Sequence, residues 1–147
     1  MPLSRIDPYL SKSFRVEIEG TTASSFTEVT GLDAAIDIVE YREGTDYPND
    51  VRKLPGITKF SNITLKRGIT QNQDLWTWAQ NNMIGDLDRR SVSIVLQDQS
   101  HNDVLRWNLT NAWPCRYAGP SLHAESSEVA IESIELCYER LEIAQVT

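Results

Sequence analysis

Two histidines, two cysteines and a series of glutamates are the residues of this chain whose types suit chemistry. A hydrolase needs a nucleophile within reach of a base, and a metal site needs several His, Cys, Asp or Glu side chains at ligand spacing. His101 and His123 stand in no such relation to a serine, a cysteine or an acid, and His101 falls among turn-forming residues where it reads as solvated. Cys115 and Cys137 have neither CxxC spacing nor a histidine pair, so they read as buried free thiols rather than a redox or zinc motif. Glu125, Glu128, Glu132, Glu135, Glu139 and Glu142 could supply a carboxylate pair for acid–base work, but a run of acids along a strand reads more simply as a solvated or lumen-facing surface. The seven glycines are scattered singly, which leaves no phosphate-cradling loop. The Asn-x-Thr sequons at Asn62 and Asn108 matter only in a glycosylating compartment. No catalytic, cofactor-binding or metal residue is assigned, and the chain does not read as an enzyme.

What remains is a surface. Two strand-like runs, residues 34–41 and 57–67, flank a segment rich in Gly44, Pro48, Asn49, Asp50, Pro55 and Gly56, all of which resist regular structure. A connection of roughly 15 residues is far longer than the 2–5 of an ordinary hairpin, and loops of that length tend to be functional. Its charges, Arg42, Glu43, Asp46, Asp50, Arg52 and Lys53, sum to zero and are interspersed with Tyr41, Tyr47, Val51 and Leu54. The reading is a docking surface made of Tyr41, Arg42, Glu43, Gly44, Tyr47, Arg52, Lys53, Leu54, Pro55 and Gly56.

The elements that must hold this surface are mostly strands. Residues 1–12 carry Pro2 and Pro8 without any period and read as an arm that orders against a neighbour, ahead of a single domain over 13–147. Phe14, Val16 and Ile18 alternate with charged residues, as in a half-buried strand. Residues 25–30 form a second run, and 34–41 a third with apolar residues on both faces, as for a strand between a core and a neighbouring subunit. Ile63 and Leu65 alternate next. The period then changes: Thr70 and Gln73 suit a capping box and Gly85 a left-handed stop, so a helix is expected over about 70–84, with Leu75, Trp78, Ala79, Asn82 and Met83 on one face. Val92, Ile94 and Leu96 return through Leu105, Trp107 and Leu109 as a hairpin around a turn at 98–103, and Pro114 is expected to break the ladder. The last segment fits either a helix or a strand. As a strand with a bulge at Glu132-Ser133, it points Val129, Ile131, Ile134, Leu136 and Tyr138 inward and Glu128, Glu135 and Glu139 outward. The fold class expected is mainly β, an antiparallel β-barrel or sandwich with one short helix and a protruding loop at about 42–56.

A chain of 147 residues is long enough for one sizeable core. At 40% hydrophobic residues and 24% charged, the composition is that of a globular domain, with no apolar run near the roughly 20 residues needed to span a bilayer. The first residues lack an apolar signal core, which points to the cytoplasm as the place of assembly. A net charge of −7 argues against gripping nucleic acid, because phosphate binding needs a basic patch.

Several short runs carry a resemblance: Val29-Thr30-Gly31-Leu32, Val39-Glu40-Tyr41-Arg42-Glu43-Gly44, Arg52-Lys53-Leu54-Pro55-Gly56, residues 62–68, Leu75-Trp76 followed by Trp78, Asn111-Ala112-Trp113-Pro114, and the stretches 128–132 and 134–136. In this order, over residues 14–141, the sequence resembles the inner tube proteins of contractile phage tails and contractile injection systems. The resemblance implies a small β-barrel that forms hexameric rings, stacked into a hollow tube that a contracting sheath drives through an envelope. It implies as partners further copies of the chain, a sheath protein, and baseplate, spike and tube-terminating proteins, with neither a membrane anchor nor specific nucleic-acid binding. The final location would be a phage tail or an injection particle. Tyr138-Glu139-Arg140 departs from the His-Glu-Gly turn common in the family. The alternative readings are a ring protein that chaperones effectors in a type VI-like system, which shares the fold, and a small β-barrel hydrolase, disfavoured for want of a nucleophile and base.

Overall fold

The computed structural model describes residues 7–20, 25–44 and 50–146. Nine strands and one helix follow one another: β1 (Phe14–Ile18), β2 (Glu28–Thr30), β3 (Ala34–Tyr41), β4 (Arg52–Phe60), β5 (Ile63–Gly68), α1 (Asp74–Met83), β6 (Arg90–Gln97), β7 (Asp103–Ala118), β8 (Ile131–Cys137) and β9 (Arg140–Gln145). All strand pairs are antiparallel.

The scaffold turns on β7, a strand of 16 residues that serves two sheets. Its first part pairs with β6 on one side and β9 on the other, and β6 pairs on to β1. Its last part, from Trp113, pairs with β8, which continues through β5 to β2. Asn111 sits between the two parts in the left-handed region (φ 54), which asparagine tolerates better than most residues. Its side-chain amide donates to Glu139 at 2.8 Å, and the Glu139 N–H donates to the Thr110 carbonyl, so the bend is tied to the β8–β9 turn. Pro114 therefore does not end the strand. It is buried opposite Leu136, and the ladder absorbs it by a register shift before Arg116.

Alternation supplies the core. Val16, Ile18, Val92, Ile94 and Leu109 from one half meet Ile63, Leu65, Ile134 and Leu136 from the other in one buried cluster, joined by Leu75 and Trp78 of α1. The two halves pack as a sandwich that does not close into a barrel, since β1 and β2 stand at its ends.

The helix is shorter than expected, and Thr70 does not cap it. Thr70 Oγ1 accepts from the Asn72 N–H and Asn72 Oδ1 from the Asp74 N–H, two side-chain turns that lead into the helix, while Gln73 at the N-cap position makes no side-chain capping bond. Leu75, Trp78 and Ala79 are buried as the helical period requires, but Met83 is 62% exposed, because the helix ends there and no further turn covers it. Gly85, at φ +89, stops the helix. The Trp78 indole N–H donates to the Asp88 carbonyl at 2.7 Å, which folds the following loop back over the last turn.

β8 corrects the reading of the acidic tail. It alternates without a bulge, with Glu132, Ile134 and Leu136 buried, while Val129 is 74% exposed. A separate strand, β9, follows a turn at Tyr138-Glu139, so the departure from the family's usual residues does not prevent that turn. Both cysteines are free, yet only Cys137 is even half-buried and Cys115 is exposed. Its sulfur lies 3.5 Å from the Glu135 carbonyl, and desolvation together with neighbouring Cys137 pushes the thiol up to about 11.

Candidate self-association surface

Among the described residues, β3 and β4 form a sheet of their own, hydrogen-bonded to no other strand. Their pairing runs from Ala34 opposite Phe60 out to Tyr41 opposite Arg52, with an irregularity where β4 carries one extra residue near Gly56. The absence of a side chain eases the close approach there, since a Cβ at Gly56 would lie 3.0 Å from the Asp37 carbonyl oxygen and 3.0 Å from a Val39 methyl, and these neighbours would have to give way by a few tenths of an ångström. The base of the hairpin is fixed to the sandwich: the Phe60 and Tyr138 rings lie 5.9 Å apart, the Tyr138 hydroxyl donates to the Ser61 carbonyl at 2.7 Å, and the Ser61 N–H donates to the Asp33 carbonyl.

Residues expected in a loop are thus divided. Arg42, Glu43 and Gly44 follow β3, whereas Arg52, Lys53, Leu54, Pro55 and Gly56 belong to β4, because the β3 backbone offers them a ladder that overrides their turn-like composition. Pro55 fits this place since a two-stranded sheet has a free edge on each strand. Tyr47 lies outside the described residues. The Tyr41 hydroxyl is 3.5 Å from a Glu43 carboxylate oxygen, Arg52 reaches Glu43 at 3.5 Å, and Lys59 meets Asp37 at 2.9 Å, so opposite charges are matched along the hairpin.

The sequence pointed to the tip, and the structure adds the shaft. Ile36 is 59% exposed, Ile38 66% and Ile57 71%, with Val39, Tyr41 and Leu54 close to half exposed. The expectation that one face of β3 meets the chain's own core is corrected: both faces are open. Strand alternation puts Ile36 and Ile38 on one face, and Val39 with its partner Leu54 on the other. The available signal was a strand with apolar residues on both faces and no clear polar side.

Another group escaped notice because it was counted among the solvated acids. Arg67 Nε donates to Glu132 at 2.6 Å, with both side chains about 95% buried. The Tyr117 hydroxyl donates to the other Glu132 oxygen, and a second Arg67 nitrogen donates to the Asn72 carbonyl at 3.1 Å. The cluster links β5, β7, β8 and the start of α1. Among the described residues, no group of three or more His, Cys, Asp or Glu is arranged to hold a metal ion.

The profile of the T4-like virus tail tube protein gp19 family matches residues 11–142. The chain belongs to this tail tube family. Its role is accordingly that of a structural tube protein. A chain in the extended-state sheath–tube complex of an extracellular contractile injection system, PVC, is 28% identical, with a TM-score of 0.85 over 95% of this chain and 93% of that one. A chain in the anti-feeding prophage cap, the AFP tube-terminating cap, is 28% identical, with a TM-score of 0.88 over 99% of this chain and 97% of that one. Hcp1 from Flavobacterium johnsoniae shares the fold at 13% identity and a TM-score of 0.55, covering 90% of this tube protein and 97% of its own chain. A comparison with curated proteins finds no match.

Proposed function

We propose that this tail tube protein is the repeating subunit of the inner tube of a contractile tail or injection particle. Six copies close a ring, and rings stack head to tail through the β3–β4 hairpin and the residues Arg42 to Gly44 that follow β3. The observation that carries this reading is the hairpin, whose apolar side chains on both faces are uncovered in the single chain. A lone two-stranded sheet is marginal in water, so a hairpin of this kind is expected to be covered by a partner. Only a contact between two different patches propagates into a tube, and a projecting hairpin that meets a different surface on the next copy meets that requirement. Similarity to chains of a sheath–tube complex, a tube-terminating cap and a baseplate supports a sheath outside this tube, with cap and baseplate proteins at its ends.

The role is one of support and conduction rather than catalysis, with subunits assembled in the cytoplasm and carried in the finished particle. Electron micrographs of the concentrated protein, alone and with its sheath and baseplate partners, are expected to show rings and hollow rods. A strictly monomeric protein under all of these conditions would refute the proposal.

A further inference from the structure

Cys115 and Cys137 form no motif along the chain, yet the fold sets them side by side. β7 and β8 pair with Trp113 opposite Cys137 and Pro114 opposite Leu136, then slip so that Arg116 meets Glu135. Cys115 is the extra residue of that bulge. In a regular ladder two residues so placed would be diagonal neighbours about 7–8 Å apart, beyond the roughly 4.4–6.8 Å between Cα atoms that a disulfide spans. The bulge removes part of that separation, because Cys115 falls between the Pro114 and Arg116 rows instead of opposite Glu135. Both thiols lie on the side away from the core: Pro114 and Leu136 are buried, whereas Cys115 is exposed and Cys137 half-buried. The Cys137 sulfur lies 3.8 Å from the Trp113 carbonyl oxygen and the Cys115 sulfur 3.5 Å from that of Glu135, with the two thiols in hydrogen-bonding reach of each other.

We propose that Cys115 and Cys137 are an oxidation site, at which a peroxide converts the two thiols into an intrachain disulfide that fastens β7 to β8. This concerns one chain alone and does not rest on the tube reading. The exposed Cys115 sulfur attacks the O–O bond of hydrogen peroxide and becomes a sulfenic acid, releasing one water. The Cys137 sulfur then displaces a second water and forms the S–S bond, so that two thiols give up two electrons and two protons and one peroxide is reduced to two waters. Burial pushes both thiols up, Cys115 to about 11, so at neutral pH they are protonated and react slowly beside an activated redox cysteine. Such a pair suits a fastening made once rather than a fast sensor. The bond closes a loop over residues 116–136, of which 119–130 carry neither strand nor helix, and so restricts a stretch that is otherwise free in the unfolded chain.

The test compares one sequence in two states. The purified protein is treated with hydrogen peroxide, and a second sample is held with a phosphine reductant. The oxidised sample is expected to lose two hydrogen atoms in intact mass, to run as a single chain on a non-reducing gel, and to yield a linked Cys115–Cys137 peptide on proteolysis. Its thermal midpoint should lie about 5 °C or more above that of the reduced sample and return on reduction. Cys115→Ser and Cys137→Ser should each abolish the link and the rise. Oxidation of Cys115 to a sulfinic or sulfonic acid with Cys137 still free, or a disulfide between two chains, would overturn the proposal. So would an intrachain disulfide that leaves the midpoint unchanged or lowers it.

Discussion

Arg67, Glu132 and Tyr117 show what a buried charge does in a chain of this kind. Ionised groups leave water at a cost of several kcal/mol unless each is paired and hydrogen-bonded, and here both carboxylate oxygens and the guanidinium have partners. Their contribution is mainly to arrangement, since the Arg67 guanidinium holds Glu132 of β8 while donating to the carbonyl of Asn72, whose side chain accepts from the Asp74 N–H at the start of α1. Glu132→Gln strands the arginine charge and is expected to cost about 3–5 kcal/mol, measured by urea denaturation. Tyr117→Phe removes one hydrogen bond to a charged group and should cost about 1.5–3 kcal/mol. The cluster also sets an alkaline limit. Burial and the hydrogen bond to Glu132 raise the Tyr117 hydroxyl from 10.0 to about 12. Its neutral form is favoured in the folded chain, so the stability it adds is complete below pH 10 and is lost as pH rises through about 12. Thermal melting between pH 9 and 12 should therefore fall more steeply in the wild type than in Tyr117→Phe; parallel curves would contradict this.

At the scale of elements, the chain divides into a sandwich with a continuous core and a hairpin attached through its base. Opening the hairpin exposes few groups that are not already wet, which is the physical condition for easy local unfolding. Trypsin is expected to cut the free subunit at Arg42, Arg52 or Lys53 well before it cuts within the sandwich, and to cut the assembled tube there slowly, as followed by mass spectrometry. Equal rates in the two states would place the hairpin outside the contacts. Trp78 belongs to the other part: fully buried, with its indole N–H on the Asp88 carbonyl and the Arg90 guanidinium 5.1 Å from its ring centre. Trp78→Ala should lower the stability of the sandwich by about 3–5 kcal/mol in the same urea assay.

For the whole molecule, the governing quantity is the −7 charge and its distribution. The tail from Glu125 is less uniformly acidic at the surface than its six glutamates suggest, because Glu132 is buried against Arg67 and Glu142 is paired with Arg140 at 2.5 Å. The remaining acids still set copy against copy until ions intervene. At physiological ionic strength the screening length is about 8 Å, which quiets charges across a seam but leaves apolar contacts intact. Light scattering across a salt series should show assembly becoming easier as salt rises; a steady weakening would mean that attraction between hairpin charges governs instead.

Period and turn chemistry made much of this molecule legible without coordinates. The span 34–41 as a strand, the alternation of Val16 and Ile18, the hairpin around His101 and the buried face of Leu75, Trp78 and Ala79 all follow from local rules, and the family follows from the order of short runs such as Arg52-Lys53-Leu54-Pro55-Gly56. Three features depended on what lies beside a residue in space. Arg52 to Gly56 became a strand because β3 was there to pair with it; Pro114 stayed in a ladder because β7 could shift register against β8; Glu132 turned inward because Arg67, 65 residues away, supplied its counter-charge. Local sequence encodes which conformations are cheap, but a partner distant in the chain decides which of them is lowest in free energy, and only the folded arrangement brings that partner into contact.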